Sequence, residues 1–365
     1  MSDEPQSPSA DLFGPLTGPP TLPSRSAEAP IRPATLPSST FELAQALHEA
    51  FGDRLRLGTS SWHFPGWAGH VWEAACPQSS LSQQGLSAYA AHPLLRTVSL
   101  DRAFYRIVPQ DEYAALARQV AASPGFRFVV KAPALLTDAQ QRDAASGRAT
   151  AINPHFLDPA LALEQVLRPL QQGLRDTMGV LVLQLSPLPP SWRNDMKALL
   201  ARLDRLLDRL APALLTDARV AVEVRDTDLL TPTLAACLKA HGARYALGVH
   251  SRLPEVNDQL PLLRATWPGD FICRWNLQRG QQYAQARDAW APFDRLRSED
   301  PVTRQAQARV AVGTLRAGHR VWITINNKAE GCAPASVVEL ARALARQAGL
   351  GDFGNEAAST HAGTA

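Results

Sequence analysis

The 365-residue chain is 45% hydrophobic and 19% charged, with a formal charge of +3. That is the balance of an ordinary globular protein, with too slight a basic excess to imply nucleic acid or a membrane surface by itself. Four cysteines (Cys76, Cys237, Cys273 and Cys332) form no CxxC pair, which argues against a zinc ribbon or disulfide framework and fits a reducing, cytoplasmic setting.

No run of 18 apolar residues is present to span a membrane, and the first residues lack the basic start and apolar core of a secretory signal. Residues 1–38, rich in Pro, Ser, Gly and Ala, are expected to be a disordered leader, followed by one domain over 39–350 and a mobile tail over 351–365. A helix is predicted from Ser39 or Thr40 through FELAQALHEAF, ended by Gly52. The apolar run LRLGTSSW (55–62) is followed by a loop and a short helix near 83–91. RTVSLDRAFYR (96–106) precedes PQDEYAALARQVAAS, whose acidic first turn and apolar spacing suit a helix. FRFVVKAP (126–133) opens an irregular segment to about Asn153, and FLDPALALEQVLRPLQQGL begins the next helix. VLVLQLSP (180–187) leads to MKALLARLDRLLDRL (196–210), the clearest amphipathic helix, with its leucines set to face a sheet. RVAVEVRD (219–226), a helix over 228–241, RYALGVH (244–250) and FICRWN (271–276) continue the alternation. The stretch 277–301, with Gln281, Gln282, Tyr283 and Trp290, is longer than a barrel connection requires and either covers the barrel mouth or decorates it. A helix over 302–318, the run VWITINN (321–327) and a helix through PASVVELARALARQ complete the chain. Strand alternating with helix eight times over predicts an α/β fold, a single TIM-type (β/α)8 parallel barrel, with its working end at the C-termini of the strands.

Successive strand residues point to opposite faces, so parity separates the helix-facing set from the barrel interior. Val220, Val222 and Val224 oppose Ala221, Glu223 and Arg225; Leu181, Leu183 and Leu185 oppose Val182, Gln184 and Ser186. Phe271, Cys273 and Trp275 oppose Ile272, Arg274 and Asn276, and Val321, Ile323 and Ile325 oppose Trp322, Thr324 and Asn326. With the apolar face toward the helices, the upper interior gathers Lys131, Arg225 and Arg274 against Asp101 and Glu223, beside Gln184, His250, Asn276 and Asn326. Burying unpaired ions costs several kcal/mol each, and apolar replacements are often no worse for stability, so a ligand or a reaction is the better reason for keeping them.

Three cations against two carboxylates favour an anionic ligand such as a phosphate, a carboxylate or a sugar phosphate. Arg225, two residues from Glu223 on the same face, should lower the Glu223 pKa, making it a base or an orienting group and a poor general acid. That weighs against a glycosidase, which needs a protonated carboxylic acid. Trp62, Phe104 and Tyr105 follow their strands as candidate pocket walls. No HxH, HExxH or acidic cluster suggests a metal, and neither GTSSWHFPGW nor NNKAEGCAP has the spacing of a nucleotide fingerprint, so no cofactor is expected.

The segments GTSSW (58–62), AFYRIVP (103–109), FRFVVKAP (126–133), VLQLSP (182–187), VAVEVRD (220–226) and ITINNKAEGCAPASV (323–337) together resemble the domain-of-unknown-function 72 family, also called YecE-like, in the family's order. The resemblance implies a TIM-type barrel and no established activity. It places the family's recurrent polar residues on Trp62, Tyr105, Arg106, Lys131, Gln184, Glu223, Arg225, Arg274, Asn326 and Asn327. The chain departs from the pattern at Val98–Asp101, where relatives usually show V-E-I-N, at Asp138 in place of a histidine, and at Trp275 and Asn276 in place of His-Gly. Such departures fit either a divergent subgroup with a changed substrate or a binding-only descendant.

The expected function is therefore an enzyme, a hydrolase or isomerase, acting on a small anionic or sugar-like molecule. Lys131, Arg225 and Arg274 would hold the anion, Glu223 would act as base or orient the reacting group, and Gln184, Asn326 and Asn327 would supply neutral hydrogen bonds. The alternatives are a non-catalytic binder of the same ligand class and a nucleic-acid-processing protein. The latter would need a basic stripe, whereas the arginine-rich helices here interleave Asp and Glu. Oligomeric state is left open.

Overall fold

The computed structural model describes residues 30–143 and 146–354; the first 29 residues of the expected leader and residues 355–365 of the expected tail lie outside them. Residues 30–37 lie against the domain, where the Ala34 N–H donates to the Val71 carbonyl at 2.9 Å and the Glu73 N–H to the Arg32 carbonyl at 3.0 Å. The first helix, Ser38–Phe51, stops at Gly52, whose φ of 56° lies in the left-handed region that glycine adopts without a side-chain penalty.

Among the described residues ten strands follow: β1 (Leu55–Thr59), β2 (Leu95–Leu100), β3 (Arg127–Lys131), β4 (Gln140–Arg142), β5 (Ala149–Ile152), β6 (Met178–Gln184), β7 (Arg219–Glu223), β8 (Arg244–Val249), β9 (Phe271–Trp275) and β10 (Val321–Ile325). Eight of them close a parallel barrel in the order β1–β10–β9–β8–β7–β6–β3–β2, the TIM-type architecture the sequence pattern predicts. The segment expected to be irregular up to Asn153 instead contains the small antiparallel hairpin β4–β5. Short polar strands of three and four residues carry too little hydrophobic alternation to be read from sequence.

The parity assignment holds around the barrel. Val129, Val180, Val182, Ala221, Ala246, Ile272 and Trp322 form a separate apolar cluster inside the cylinder. Leu181, Leu183, Val220, Val222, Cys273, Trp275, Ile323 and Ile325 belong to the larger core shared with the helices. The interior plug is closed by Trp322, over whose ring the Arg56 guanidinium lies at 5.4 Å. Polar side chains on the same face one or two residues further along each strand therefore stand above a dry floor. The stretch between β9 and β10 carries helix Tyr283–Trp290, and Leu277, Ala286, Trp290 and Phe293 pack together with Phe64 from the loop after β1. That resolves the choice left by the sequence, because this packing sets the insertion over the mouth.

The outer layer depends on amphipathic helices such as Met196–Leu210, where Leu199, Leu203, Leu206, Leu207 and Leu210 are fully buried. Leu203→Ala should destabilise the protein by about 2–5 kcal/mol through lost burial and an unfilled cavity. Arg205→Ala, on the exposed face of that helix, should change stability by no more than about 0.5 kcal/mol. Chemical denaturation of both variants measures the difference.

Candidate active site

Glu223 ends β7 with no solvent exposure, and the upper interior is arranged around its carboxylate. Oε2 accepts from Arg274 Nη1 at 2.5 Å and Oε1 from Asn276 Nδ2 at 3.0 Å, while Arg225 Nη2 stands 2.9 Å from Oε1 as an ion pair. Arg274 extends the chain of charge across the barrel by donating Nη2 to Asp101 Oδ1 at 2.6 Å, and Ser99 Oγ donates to the same oxygen at 2.6 Å. Arg225 Nη2 also donates to Gln184 Oε1 at 2.7 Å, directly across the β6–β7 register where Gln184 faces Glu223. Opposite stands Gly248, where an added Cβ would lie 3.4 Å from Glu223 Oε1 and 2.9 Å from the Leu253 side chain. A glycine there leaves the space that the carboxylate and its arginines fill.

Burial alone would raise the Glu223 pKa, but Arg225, Arg274 and Lys131 outweigh it and hold the carboxyl below its ordinary value. Burial likewise acts to lower Arg274, and its two carboxylate partners more than reverse that. Two hydrogen-bond donors and the Arg225 guanidinium against a buried, ionised carboxylate leave Glu223 neither exposed nor unpaired.

Lys131, at the end of β3, has the opposite character. Its Nζ lies 3.6 Å from the centre of the Phe104 ring, in the short 3-10 turn Asp101–Phe104. Burial pushes the amine down to about 7; Asp101 and Glu223 draw it back up, and Arg274 and Arg225 press it further down. His250, after β8, accepts the Arg252 N–H at Nδ1 at 3.2 Å and is pushed down to about 3 by burial and by Arg225, so it stays neutral. Two guanidinium nitrogens, Arg225 Nη1 and Arg274 Nε, are buried with no hydrogen-bond acceptor among the described residues.

A further residue joins the site from a position parity could not reach. Lys328, two residues beyond Asn326, is buried with its Nζ 3.3 Å from Asn326 Oδ1 and 4.2 Å from the centre of the Tyr283 ring. Burial pushes it down to about 8, with Asp101 drawing it back up and Arg287 lowering it further. Its signal in the sequence was compositional. The chain holds only four lysines (Lys131, Lys197, Lys239 and Lys328) among 37 basic residues, and two of the four sit at the barrel mouth.

The geometry thus joins Asp101, Gln184, Glu223, Arg225, Arg274 and Asn276 by hydrogen bonds and the Arg225–Glu223 ion pair, with Lys131 and His250 in their field and Asn326 holding Lys328. The remaining sequence candidates have other partners. Trp62 is buried, donates Nε1 to the Leu81 carbonyl at 3.1 Å and carries Arg102 over its ring at 5.1 Å. Asn327 Oδ1 ties Trp67 Nε1 at 3.1 Å to the Ala333 N–H at 2.8 Å, fixing the start of helix Ala333–Ala348. Tyr105 is 47% exposed against the edge of Phe104, and Arg106 pairs with Glu112 at 2.5 Å outside the barrel. Among the described residues, no group of three or more His, Cys, Asp or Glu side chains is placed to hold a metal ion.

A closed eight-stranded parallel barrel with a charged cluster at the C-terminal ends of its strands defines the class: a TIM-type barrel with its polar centre where such folds carry their active sites. The chain belongs to the protein family of unknown function DUF72, whose model matches residues 56–360. Similar solved structures include a DUF72 family protein from Enterococcus faecalis, 15% identical, covering 83% of this chain and 98% of that one with a TM-score of 0.49. Another is a DUF72 family protein from Thermotoga maritima, 16% identical, covering 78% of this chain and 97% of that one with a TM-score of 0.49. No curated protein matches the chain.

Removing the central carboxylate charge exposes the dependence of its partners. Glu223→Gln leaves Arg274 and Arg225 buried beside a neutral group and should cost about 3–5 kcal/mol of stability. Arg106→Ala, which breaks a pair at the surface, should cost no more than about 1 kcal/mol. Urea unfolding of the two variants against the parent measures both.

Proposed function

We propose that the protein is an enzyme that binds a small anionic or sugar-like substrate at the C-terminal mouth of its barrel and uses Lys131 for proton transfer, in a hydrolysis or an isomerisation. One observation carries this reading: a lysine amine set 3.6 Å from the centre of the Phe104 ring is brought down to about 7 in the field of Arg274 and Arg225, each of which keeps a buried N–H without an acceptor among the described residues. A group poised near neutral pH spends comparable time in both protonation states and serves well as a general base. An ordinary structural lysine needs no such tuning, and a chain that uses arginine almost throughout had a permanently charged alternative at hand.

In this reading Glu223 is the fixed counter-anion of the site. Its position as expected base passes to Lys131, because the carboxylate is engaged by two donors and the Arg225 guanidinium and kept ionised. Arg274 acts through Glu223 and Asp101, holding both in place. Arg225 offers Nη1 to an anionic oxygen of the substrate, and Gln184, Asn276 and Asn326 orient neutral polar groups. Lys328 adds a second cation on the side covered by Tyr283 and Phe293. With Lys131 neutral as the base, Arg225, Arg274 and Lys328 still outnumber Asp101 and Glu223, and that cationic excess supports an anionic substrate.

A panel of sugar phosphates and small carboxylates, screened by thermal unfolding, finds compounds that raise the melting temperature. Turnover of those compounds should increase as pH rises through about 7, where Lys131 loses its proton and becomes a base. Lys131→Met should lower turnover by roughly 10²–10⁴-fold while the ligand still raises the melting temperature. Turnover unchanged by Lys131→Met would overturn the assignment. Stabilising ligands that the wild type never converts would make the protein a binder.

A further inference from the structure

A cavity lies at the end of the barrel opposite the charged cluster, outside the cylinder. Helix Leu260–Ala265 and helix Pro301–Arg316 flank it, and the first residues of β8 and β9, Arg244 and Phe271, form its inner wall. Its volume, about 440 Å³, falls within the roughly 300–1,000 Å³ of small-molecule sites. Leu263, Trp267, Phe271 and Val310 give it an apolar body, and Trp267 remains 42% exposed at its edge.

Its charges all have one sign once existing pairs are set aside. Arg244, Arg264 and Arg309 line it, and the carboxylate there, Asp270, is engaged by Arg219 at 2.6 Å and by the Arg320 N–H at 2.8 Å. Among the described residues, Arg309 is held only by Asn257 Oδ1 at 3.2 Å and Arg264 forms no ion pair. Arg244 leans on the Pro268 carbonyl at 3.1 Å, while its Nε–H is buried with no acceptor among the described residues. Gly269 permits that approach, since a Cβ there would lie 2.1 Å from Arg244 Nη1. A buried donor without an acceptor costs free energy that a ligand oxygen would recover.

We infer that this cavity is a second ligand site, distinct from the barrel mouth, for a small amphipathic anion: an aromatic or aliphatic body bearing one carboxylate. The apolar walls take the body, and the three arginines receive the carboxylate. Gly313 supplies the means of testing this without harming the fold. A Cβ added there meets nothing within 4 Å, and residue 313 lines the cavity from within helix Pro301–Arg316. Gly313→Leu therefore fills the space while improving helix propensity.

The test is calorimetric titration of the full chain with 1-naphthylacetate. One-site saturable binding is expected, weakened at least about tenfold in Gly313→Leu, in Arg264→Ala and when the neutral amide of the same compound replaces the acid. Lys131→Met should bind as the wild type does, which separates this site from the mouth. The inference is overturned by an absence of saturable binding, by equal affinity in Gly313→Leu, or by equal affinity for the amide. It is also overturned by loss of binding in Lys131→Met, or by a sedimenting dimer that Gly313→Leu dissociates, which would make the cavity an interface between copies.

Discussion

The buried carboxylate of Glu223 bridges two arginines from neighbouring parts of the barrel, and the polar centre depends on that arrangement. Without Glu223, Arg274 and Arg225 would stand charged in a barrel whose floor is Val129, Val182, Ala221, Ile272 and Trp322. Without the arginines, the carboxylate would take up a proton. Each ion is tolerable because the others are there, and the cluster has no cheap partial form. Stability alone gives little reason to keep it, since an apolar layer would continue the plug below.

What the cluster does is set the field for its neighbours. Lys131 stands in the field of both carboxylates and both guanidinium groups, and burial, the largest influence, brings its amine down to about 7. A guanidinium in its place would stay charged throughout. This division of labour runs through the sequence: arginine pairs carboxylates over the whole surface and at the centre, and lysine is kept for few positions, two of which face the mouth.

Much of this was legible in the sequence because the strands obey strict alternation. Once the valines of 219–226 were placed toward the helices, Glu223 and Arg225 had to point inward, and the same logic placed Gln184, Arg274 and Asn326. Alternation fails where strands end. Trp62, Tyr105, Arg106 and Asn327 lie in turns whose direction depends on local hydrogen bonds, and they went to loop and rim partners instead. Lys328 escaped for the same reason, being brought to the centre by the 3-10 turn Asn327–Ala329. Nor does a pattern of residue types reveal saturation: only the distances show that both Glu223 carboxylate oxygens already have partners.

Selective labelling of the lysine ε-carbons gives four resonances to follow by nuclear magnetic resonance, with Lys131→Met and Lys328→Met to assign the two at the mouth. Our expectation is that the Lys131 signal titrates near 7 and that Glu223→Gln moves its midpoint lower, because a neighbouring negative charge has been removed. A Lys131 signal that holds its proton up to the ordinary lysine value of 10.5 would contradict it.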